Sequence, residues 1–350
     1  MTGDITESLV EQVKEAIAYE SPLVIEGGGS KKFYGYLQSD ELTRLYTSGH
    51  QGVIDYSPDE LVIQVRAGTP LSEVKKLLTE SDQMLAFEPP DFAGNATIGG
   101  VIATGLSGPR RPFAGALRDF VLGVTVITGS AEILTFGGQV MKNVAGYDVS
   151  RLVAGSLGTL GIILDVSLKV LPIPELEVTR AIPVGRGGFQ ALLQSMRQSV
   201  PISAAAHEGD HVRVRLSGSE IAVKAALKEH GGEAAENNYW DQVNNLERFS
   251  EIDELWRLSV VPGSDVLLEE AALVDWGGGL RWIIQPGFNP RERLEENGHA
   301  TLMKYKAESL APDLDIFQPL IEPVSGIHQR LKQQFDPKGI FNPGRMYRDL

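Results

Sequence analysis

The chain has no cysteine among its 350 residues. That excludes disulfides, thiolate nucleophiles, cysteine-ligated zinc and any iron–sulfur cluster held by this chain alone. It also has no run of about 20 apolar residues, so no segment reads as a membrane-spanning helix. Residues Met1 to Glu20 are acidic and lack an apolar stretch long enough for a signal peptide. The expected compartment is therefore the cytoplasm, with any contact at the inner face of the membrane made through partners. Basic side chains are the scarcer charge, 32 against 46 acidic ones, for a formal charge of −14. Phosphates of nucleic acid and anionic lipid both select basic surfaces, and neither suits this balance.

What is present is a chain 42% hydrophobic, enough for a full core. Its length fits two domains at roughly 100–200 residues each, with one large α/β domain as the alternative. Glycine is the outlier. Fourteen of the 38 glycines lie between Gly94 and Gly161, about one residue in five. Clustered glycine costs backbone entropy and is kept where the chain needs positive φ or the close approach of another group.

Strand patterns alternate with these glycines. Phe120 to Ile127 and Glu132 to Phe136 are β-rich runs joined by Thr128-Gly-Ser-Ala131, a hairpin turn. Gly161 to Leu171 is a long strand ended by Pro172 and Pro174. Upstream, Leu9 to Ile17 has helical spacing with Thr6 or Ser8 as N-cap. Leu23 to Ile25 is a short strand running straight into Gly27-Gly28-Gly29-Ser30. Val53 to Tyr56 and Leu61 to Val65 are strands around a Pro58 turn, and Leu71 to Leu78 is an amphipathic helix opened by Pro70. After Pro174 short strands alternate with helical stretches at Ser219 to His230 and Tyr239 to Phe249. The tail holds one helix, Gly326 to Phe335, and a Pro/Gly turn from Asp336 to Arg345.

Three glycine turns carry the chemistry. Val24-Ile-Glu-Gly-Gly-Gly-Ser30 exposes backbone N–H groups with no Cβ in the way, which suits a pyrophosphate. It is neither a Walker A loop nor the dinucleotide fingerprint, and a plain surface turn reads equally well. In Thr97-Ile-Gly-Gly100, Thr97 caps a helix starting at Ile98, and the paired glycines leave the helix N-terminus open to an anion. The competing reading is a helix whose glycines let it approach the sheet. Gly155-Ser-Leu-Gly-Thr-Leu-Gly161 spaces its glycines at i, i+3 and i+6 ahead of a strand. Together these turns fit one ligand long enough to reach all three.

Glu26-Gly-Gly-Gly-Ser30, Thr97-Ile-Gly-Gly100, Gly115-Ala-Leu-Arg-Asp-Phe-Val-Leu-Gly123, Gly155-Ser-Leu-Gly-Thr-Leu-Gly161 and Asn342-Pro-Gly344 occur in an order that resembles the FAD-binding PCMH-type family of vanillyl-alcohol oxidase and p-cresol methylhydroxylase. Ala86-Phe-Glu-Pro-Pro90, Thr104-Gly-Leu-Ser-Gly-Pro-Arg-Arg111 and Val140-Met-Lys-Asn-Val-Ala-Gly-Tyr-Asp148 narrow the resemblance to the FAD-binding subunits of bacterial glycolate oxidases, over essentially the whole chain. The resemblance implies an α+β fold with a two-subdomain FAD domain at 1–174, an α+β cap at 175–320, and a C-terminal segment, 321–350, returning to the FAD domain. It implies that Gly27, Gly28, Gly29 and Ser30 form the first diphosphate loop, and that Thr97, Ile98, Gly99, Gly100, Gly105, Ser107 and Gly108 form the second wall, with Pro89 beside them. Gly158, Gly161 and Ile162 would supply backbone contacts along the cofactor, and Asn342 would sit near the isoalloxazine.

The same resemblance implies oxidation of glycolate, or another small 2-hydroxy acid, with electrons passed from flavin to a partner iron–sulfur subunit beside a sister FAD subunit. A self-sufficient D-2-hydroxy-acid dehydrogenase and a structural subunit with vestigial FAD loops are the alternatives. Departures from the family matter. With no cysteine, and no histidine in the first loop, the FAD is expected to be non-covalent. Leu157 stands where related dehydrogenases carry a glutamate. The nearest string to their cap histidine motif, His207-Glu-Gly-Asp210 followed by His211, reads as a surface turn, so no metal site is expected. The catalytic residues are left unassigned. Arg110 and Arg111, between Pro109 and Pro112, suit a carboxylate or phosphate, a solvated turn, or a partner contact. Lys142, Asn143 and Tyr147 fall at an expected pocket rim, His299 reads as a packed cap histidine, and Trp282 as core.

Overall fold

The computed structural model describes residues 3–92, 94–138, 148–196, 200–236, 238–294, 298–306, 308, 310–311 and 313–350. Lys142, Asn143 and Tyr147 lie outside the described residues. In chain order the first half runs α1 (Thr6–Ala18), β1 (Leu23–Glu26), β2 (Thr43–Tyr46), β3 (Val53–Ser57), β4 (Val62–Arg66), α2 (Leu71–Thr79), β5 (Gln83–Met84), α3 (Ile98–Thr104), α4 (Arg111–Ala114), β6 (Val121–Ile127), β7 (Ile133–Gly137), α5 (Val149–Val153), β8 (Ile162–Lys169) and β9 (Leu171–Pro172). It continues with β10 (Leu176–Pro183), α6 (Phe189–Met196), β11 (Ile202–Glu208), β12 (His211–Gly218), α7 (Glu220–His230), β13 (Glu233–Ala234) and α8 (Tyr239–Asn244). The last elements are β14 (Leu255–Ser259), β15 (Ala271–Asp275), β16 (Leu280–Ile283), β17 (His299–Lys304) and α9 (Val324–Phe335).

Two antiparallel sheets organise these elements. The first has the order β3-β4-β8-β6-β7, the second β13-β10-β12-β11-β15-β16-β14-β17. β8 is nearly continuous apolar sequence because both of its faces are covered. Ile163, Val166 and Leu168 join a core with α2 and α3, while Ile162 and Leu164 join another with Leu9, Val13 and Ala16 of α1. The switch between faces falls at a register shift opposite Thr125 and Val126. The Thr128–Ala131 hairpin forms as expected, with Thr128 N–H donating to Glu132 O at 2.9 Å.

Two helix expectations change. Neither Thr6 nor Ser8 caps α1. Ile5 occupies the N-cap position, and Asp4 Oδ1 accepts from Thr6 N at 3.0 Å. The helix expected over Tyr239 to Phe249 stops at Asn244, because Leu246 takes a left-handed backbone at φ 57° and the chain continues as a short 3₁₀ turn.

The second sheet buries both faces. Phe189, Leu193 and Met196 of α6 and Val223 and Ala226 of α7 cover one. The other meets the first half of the chain, where Tyr34, Leu106 and Leu157 pack among Trp240, Trp276 and Trp282. Trp282 is buried as expected, in this seam. Ion pairs cross the seam as well: Arg110 joins Glu88 and Glu177, and Arg215 reaches Glu88 Oε1 at 2.7 Å. The C-terminal tail returns to the start of the chain, bridging Leu23 to Phe341 beside the parallel β1–β2 pair.

Candidate functional site

β1 ends at Glu26, and the following loop opens a cavity of about 360 Å³ lined by Gly27 to Lys32, Thr97, Gly100, Thr104, Leu157, Asn342 and Arg345. The loop is built from below. Glu26 pairs with Lys32 at 2.7 Å and Arg44 at 3.4 Å. Arg345 donates to the carbonyls of Lys31, Lys32 and Tyr36 at 3.0–3.2 Å. A Cβ at Gly27 would lie 2.3 Å from Thr97 Oγ1 and one at Gly28 1.6 Å from Asn95 O, so glycine is forced at both positions. No backbone N–H from Gly27 to Lys31 donates a hydrogen bond within the described residues. Five donors without a partner among the described residues, on a loop that lines a cavity, are what an anion-binding nest requires.

The first turn of α3 is different. Thr97 does cap it, accepting from Gly100 N at 3.4 Å. Ile98 N donates to Thr69 O at 3.0 Å and Gly99 N to Ala67 O at 2.7 Å. All three first-turn donors are occupied, so this helix N-terminus is not open to an anion, contrary to the reading of its paired glycines. Gly99 is there for close approach: a Cβ would fall 2.7 Å from Ala67 Cβ. Gly100 faces the cavity.

A second cavity, about 570 Å³, lies beyond Thr104, which lines both. Gly105, Ser107, Gly155 and Ser156 form one side of it, and Arg257, Trp276, His328 and Tyr347 contribute to the rest. Gly155 has φ 90° and nothing within 4 Å of where its Cβ would stand. Of the residues singled out from sequence, Gly27, Gly28, Gly29, Ser30, Thr97, Gly100 and Asn342 meet at the first cavity, and Gly105 and Ser107 at the second. Ile98, Gly99, Gly158, Gly161 and Ile162 line neither. Pro89 and Gly108 lie at the seam with the second sheet, where Gly108 O accepts from Trp276 Nε1 at 3.0 Å.

Asn342 is fully engaged in holding the fold around the first cavity. Its Oδ1 accepts from Ile25 N at 2.8 Å and its Nδ2 donates to Leu157 O at 2.7 Å, tying the tail to β1 and to the Gly155–Gly161 loop. Lys332 fastens the same loop from α9, donating to Thr159 O at 2.9 Å while paired with Asp336 at 2.8 Å.

The charged groups sort by partner. Arg110 is consumed by Glu88, Glu177 and Ser217, so it ties α4 to the second sheet and is neither a solvated turn nor free for a ligand. Arg111 reaches the second cavity. Lys31 lines the first, buried, with Ser30 Oγ at 3.2 Å as its hydrogen-bond partner, and desolvation brings its ammonium down to about 8. Desolvation also lowers the half-buried His328, favouring the neutral ring. His207 is not part of a surface turn. It is buried at the end of β11, its Nε2 3.1 Å from Val184 O, while Gly209, Asp210 and His211 are exposed. His299 is exposed at the start of β17, not packed. Among the described residues no group of three His, Asp or Glu side chains could hold a metal ion.

Sequence reasoning missed Lys31, Arg257, Trp276, His328 and Arg345. Arg345 had a signal, one residue beyond Asn342-Pro-Gly344. Arg257, Trp276 and His328 had none, since each reaches the cavity from a different element.

The joined cavities have the chemistry of a seat for FAD. The Gly27–Lys31 nest offers donors to a diphosphate. Gln38 Oε1 at the first cavity and Ser156 Oγ at the second are buried without a hydrogen-bond partner, and Gly155 leaves room for a close ligand. The residues fit the group.

Comparison with known proteins bears on the same site. Residues 4–137 match the family described as FAD binding domain. Glycolate oxidase subunit GlcE of Escherichia coli (strain K12) is 42% identical over 355 residues, covering 99% of both chains. D-lactate dehydrogenase of Anaerostipes hadrus is 34% identical over 37% of this chain and 27% of that protein. Glycolate oxidase subunit GlcD of Bacillus subtilis (strain 168) is 32% identical over 45% and 33%. A solved structure of alkyldihydroxyacetonephosphate synthase superposes with a TM-score of 0.66 over 96% of this chain and 74% of that one, at 16% identity, a likeness of fold alone. No helix among the described residues is long and apolar enough to cross a membrane.

Proposed function

The chain belongs to the glycolate oxidase subunit GlcE family, and on that premise we propose that it is the FAD-carrying subunit of a complex that oxidises glycolate to glyoxylate. The single observation that carries the reading is the run of free backbone donors from Gly27 to Lys31, opening onto two cavities that meet at Thr104. Residues 1–174 and 321–350 are read as the FAD-holding part and 175–320 as the cap. When bound, FAD supplies the two-electron acceptor that no side chain of this cysteine-free chain offers.

The residues have separate duties in this reading. Gly27 to Ser30 receive the diphosphate, with Lys31 adding charge. Gly100, Thr104 and Gly105 line the two cavities, and Gly155 and Ser156 in the larger one would hold the flavin end. Arginine in that cavity orients a carboxylate. His328, held neutral, is the group able to take the hydroxyl proton of a 2-hydroxy acid. Electrons leave to partner subunits, read as a sister FAD subunit and an iron–sulfur subunit, because this chain has no ligand set for a cluster.

The test uses the full chain, purified alone and with the partner subunits. Retained, non-covalent FAD near one per chain is expected. The complex should carry iron and reduce its flavin on anaerobic addition of glycolate. A chain that retains no flavin after FAD addition would overturn the cofactor reading. Rapid reduction of the isolated chain by glycolate or lactate would overturn the dependence on partners.

A further inference from the structure

Helix α9 carries its large apolar side chains on one face and buries none of them. Val324, Ile327, Leu331 and Phe335 follow at three, four and four residues, a single stripe along the helix. Such a stripe is what normally packs a helix onto its protein. Here Val324 is 40% and Ile327 44% exposed, and Ile321 in the preceding turn is 77% exposed. Polar contacts hold the helix instead. Lys332 Nζ donates to Thr159 O and Phe341 O, both at 2.9 Å, and pairs with Asp336. Phe335 O accepts from Gly129 N at 2.8 Å, and the Phe335 ring lies 6.1 Å from that of Phe136. The C-terminal end of α9 is therefore fixed while its first turns offer apolar surface to solvent.

The stripe leads from solvent to the larger cavity. Leu331 lines that cavity, together with His328 and Lys332 of the same helix. Charge there has one sign: Arg111, Arg118, Arg151, Arg257 and Lys332 line the cavity, and no carboxylate does. Within α9 the charged residues besides His328 are Arg330 and Lys332, with no acidic residue. At 100° per residue, Arg330 falls on the flank of the stripe away from Lys332. Arg330 and Arg118 are both exposed, and neither makes an ion pair among the described residues. In a chain of net charge −14 this is a local reversal of sign.

An apolar stripe flanked by exposed arginine selects its partner. A second copy of this chain would set the same arginines against each other across a two-fold interface, and like charges in contact cost affinity. An apolar groove rimmed by carboxylates meets both demands. We propose that Ile321, Val324 and Ile327, flanked by Arg330, form the docking surface for the iron–sulfur partner subunit, which meets them with an apolar groove of acidic rim. This rests on the reading of the larger cavity as the flavin end. Because α9 both lines that cavity and exposes the stripe, a partner seated on it stands close to the flavin, and electron transfer falls steeply with distance.

Biosensor titration of the purified iron–sulfur subunit against the full chain, supplied with FAD, tests the surface without using turnover. Val324→Asp and Ile327→Asp each set a carboxylate against the acidic rim and should weaken binding about 30-fold or more. Arg330→Glu should weaken it about tenfold at low salt, and the difference should shrink at high salt, because exposed charge is screened. Ile221→Asp, on a still more exposed apolar residue of α7, should leave binding unchanged. Thermal unfolding and FAD retention of all four variants should match the intact chain, since the replaced side chains are exposed. Unchanged affinity in Val324→Asp and Ile327→Asp would overturn the docking surface and leave the cofactor reading standing. So would an equal loss in Ile221→Asp, no binding by the intact chain, or a dimer of the intact chain that Ile327→Asp disperses. Should either aspartate variant not fold, Arg330→Glu and its salt dependence decide. A chain that retains no FAD, yet binds the iron–sulfur subunit and loses it in Ile327→Asp, would sink the cofactor reading and keep the docking surface.

Discussion

The loop Gly27–Lys31 and the first turn of α3 have nearly the same sequence chemistry, two or three glycines beside a hydroxyl residue at an element boundary. Yet they do opposite things with their backbone. The loop leaves every N–H free over a cavity, whereas the α3 turn hands its donors to Thr69, Ala67 and Thr97. Gly28 is glycine because the Asn95 carbonyl crowds it, and Gly99 because Ala67 does. The difference teaches that a glycine cluster reports close approach and not what is approached. Composition is the same for a neighbouring strand and for a bound phosphate.

That contrast can be broken at several points. Asn342→Ala has the largest expected effect, since it strands the part-buried Ile25 N–H and the buried Leu157 carbonyl. Each costs about 1–3 kcal/mol. Chemical denaturation should show the sum, and retained FAD should fall with it. Gly28→Val comes next. Its side chain must displace the Asn95 carbonyl, and FAD affinity should drop roughly 100-fold by fluorescence titration, on an overpacking cost of about 1–3 kcal/mol. Unchanged affinity would mean the loop is not the diphosphate seat.

The sharpest pair is Gly99→Ala against Gly100→Ala. Alanine at 99 meets Ala67 and should cost about 1–3 kcal/mol of stability with FAD affinity per folded chain unchanged. Alanine at 100 has only Thr97 Oγ1 at 3.4 Å as a neighbour. It should leave the FAD-free chain as stable, or stabilise it by roughly 0.5 kcal/mol through helix propensity, while weakening FAD about tenfold. If both variants behaved alike, the comparison would collapse.

The smallest effect concerns pH. Burial lowers the Lys31 ammonium to about 8, so it is charged below that pH and neutral above it. An anion in the loop binds the charged form, which means affinity is full below pH 8 and declines as pH rises through it. Between pH 7 and pH 9 FAD affinity should fall roughly tenfold. Lys31→Gln should flatten that slope, a result readable from binding curves alone.

Much of the fold was legible because it is local. The Thr128–Ala131 hairpin, the Ser219-capped α7 and the Pro70-led α2 each follow from turn chemistry and periodicity within about ten residues. The strand expected over Gly161 to Leu171 instead stops at Lys169, and Pro172 lies in β9, paired with β5. The misses were tertiary. Leu246 breaks a helix pattern that periodicity carried to Phe249, because it packs in the seam between the halves. His207 reads as a turn residue, yet the strand pairing draws it inward against Phe189. Arg110 and Arg111 are indistinguishable in sequence. One is taken by two carboxylates from distant segments, and the other is left facing a cavity.

What the sequence by itself determined is what depends on each residue's own covalent chemistry. Without cysteine, no cluster or disulfide can be held by this chain. Without Cβ, the 27–29 and 155–161 turns can take conformations closed to other residues. Which backbone donors stay free, and which arginines stay unpaired, was decided only by the tertiary structure. The partners that satisfy or spare them, Thr69 for Ile98, Glu177 for Arg110 and Trp276 for Arg257, lie roughly 20 to 70 residues away along the chain. A binding site is what remains after those pairings are made, and no local pattern encodes the remainder.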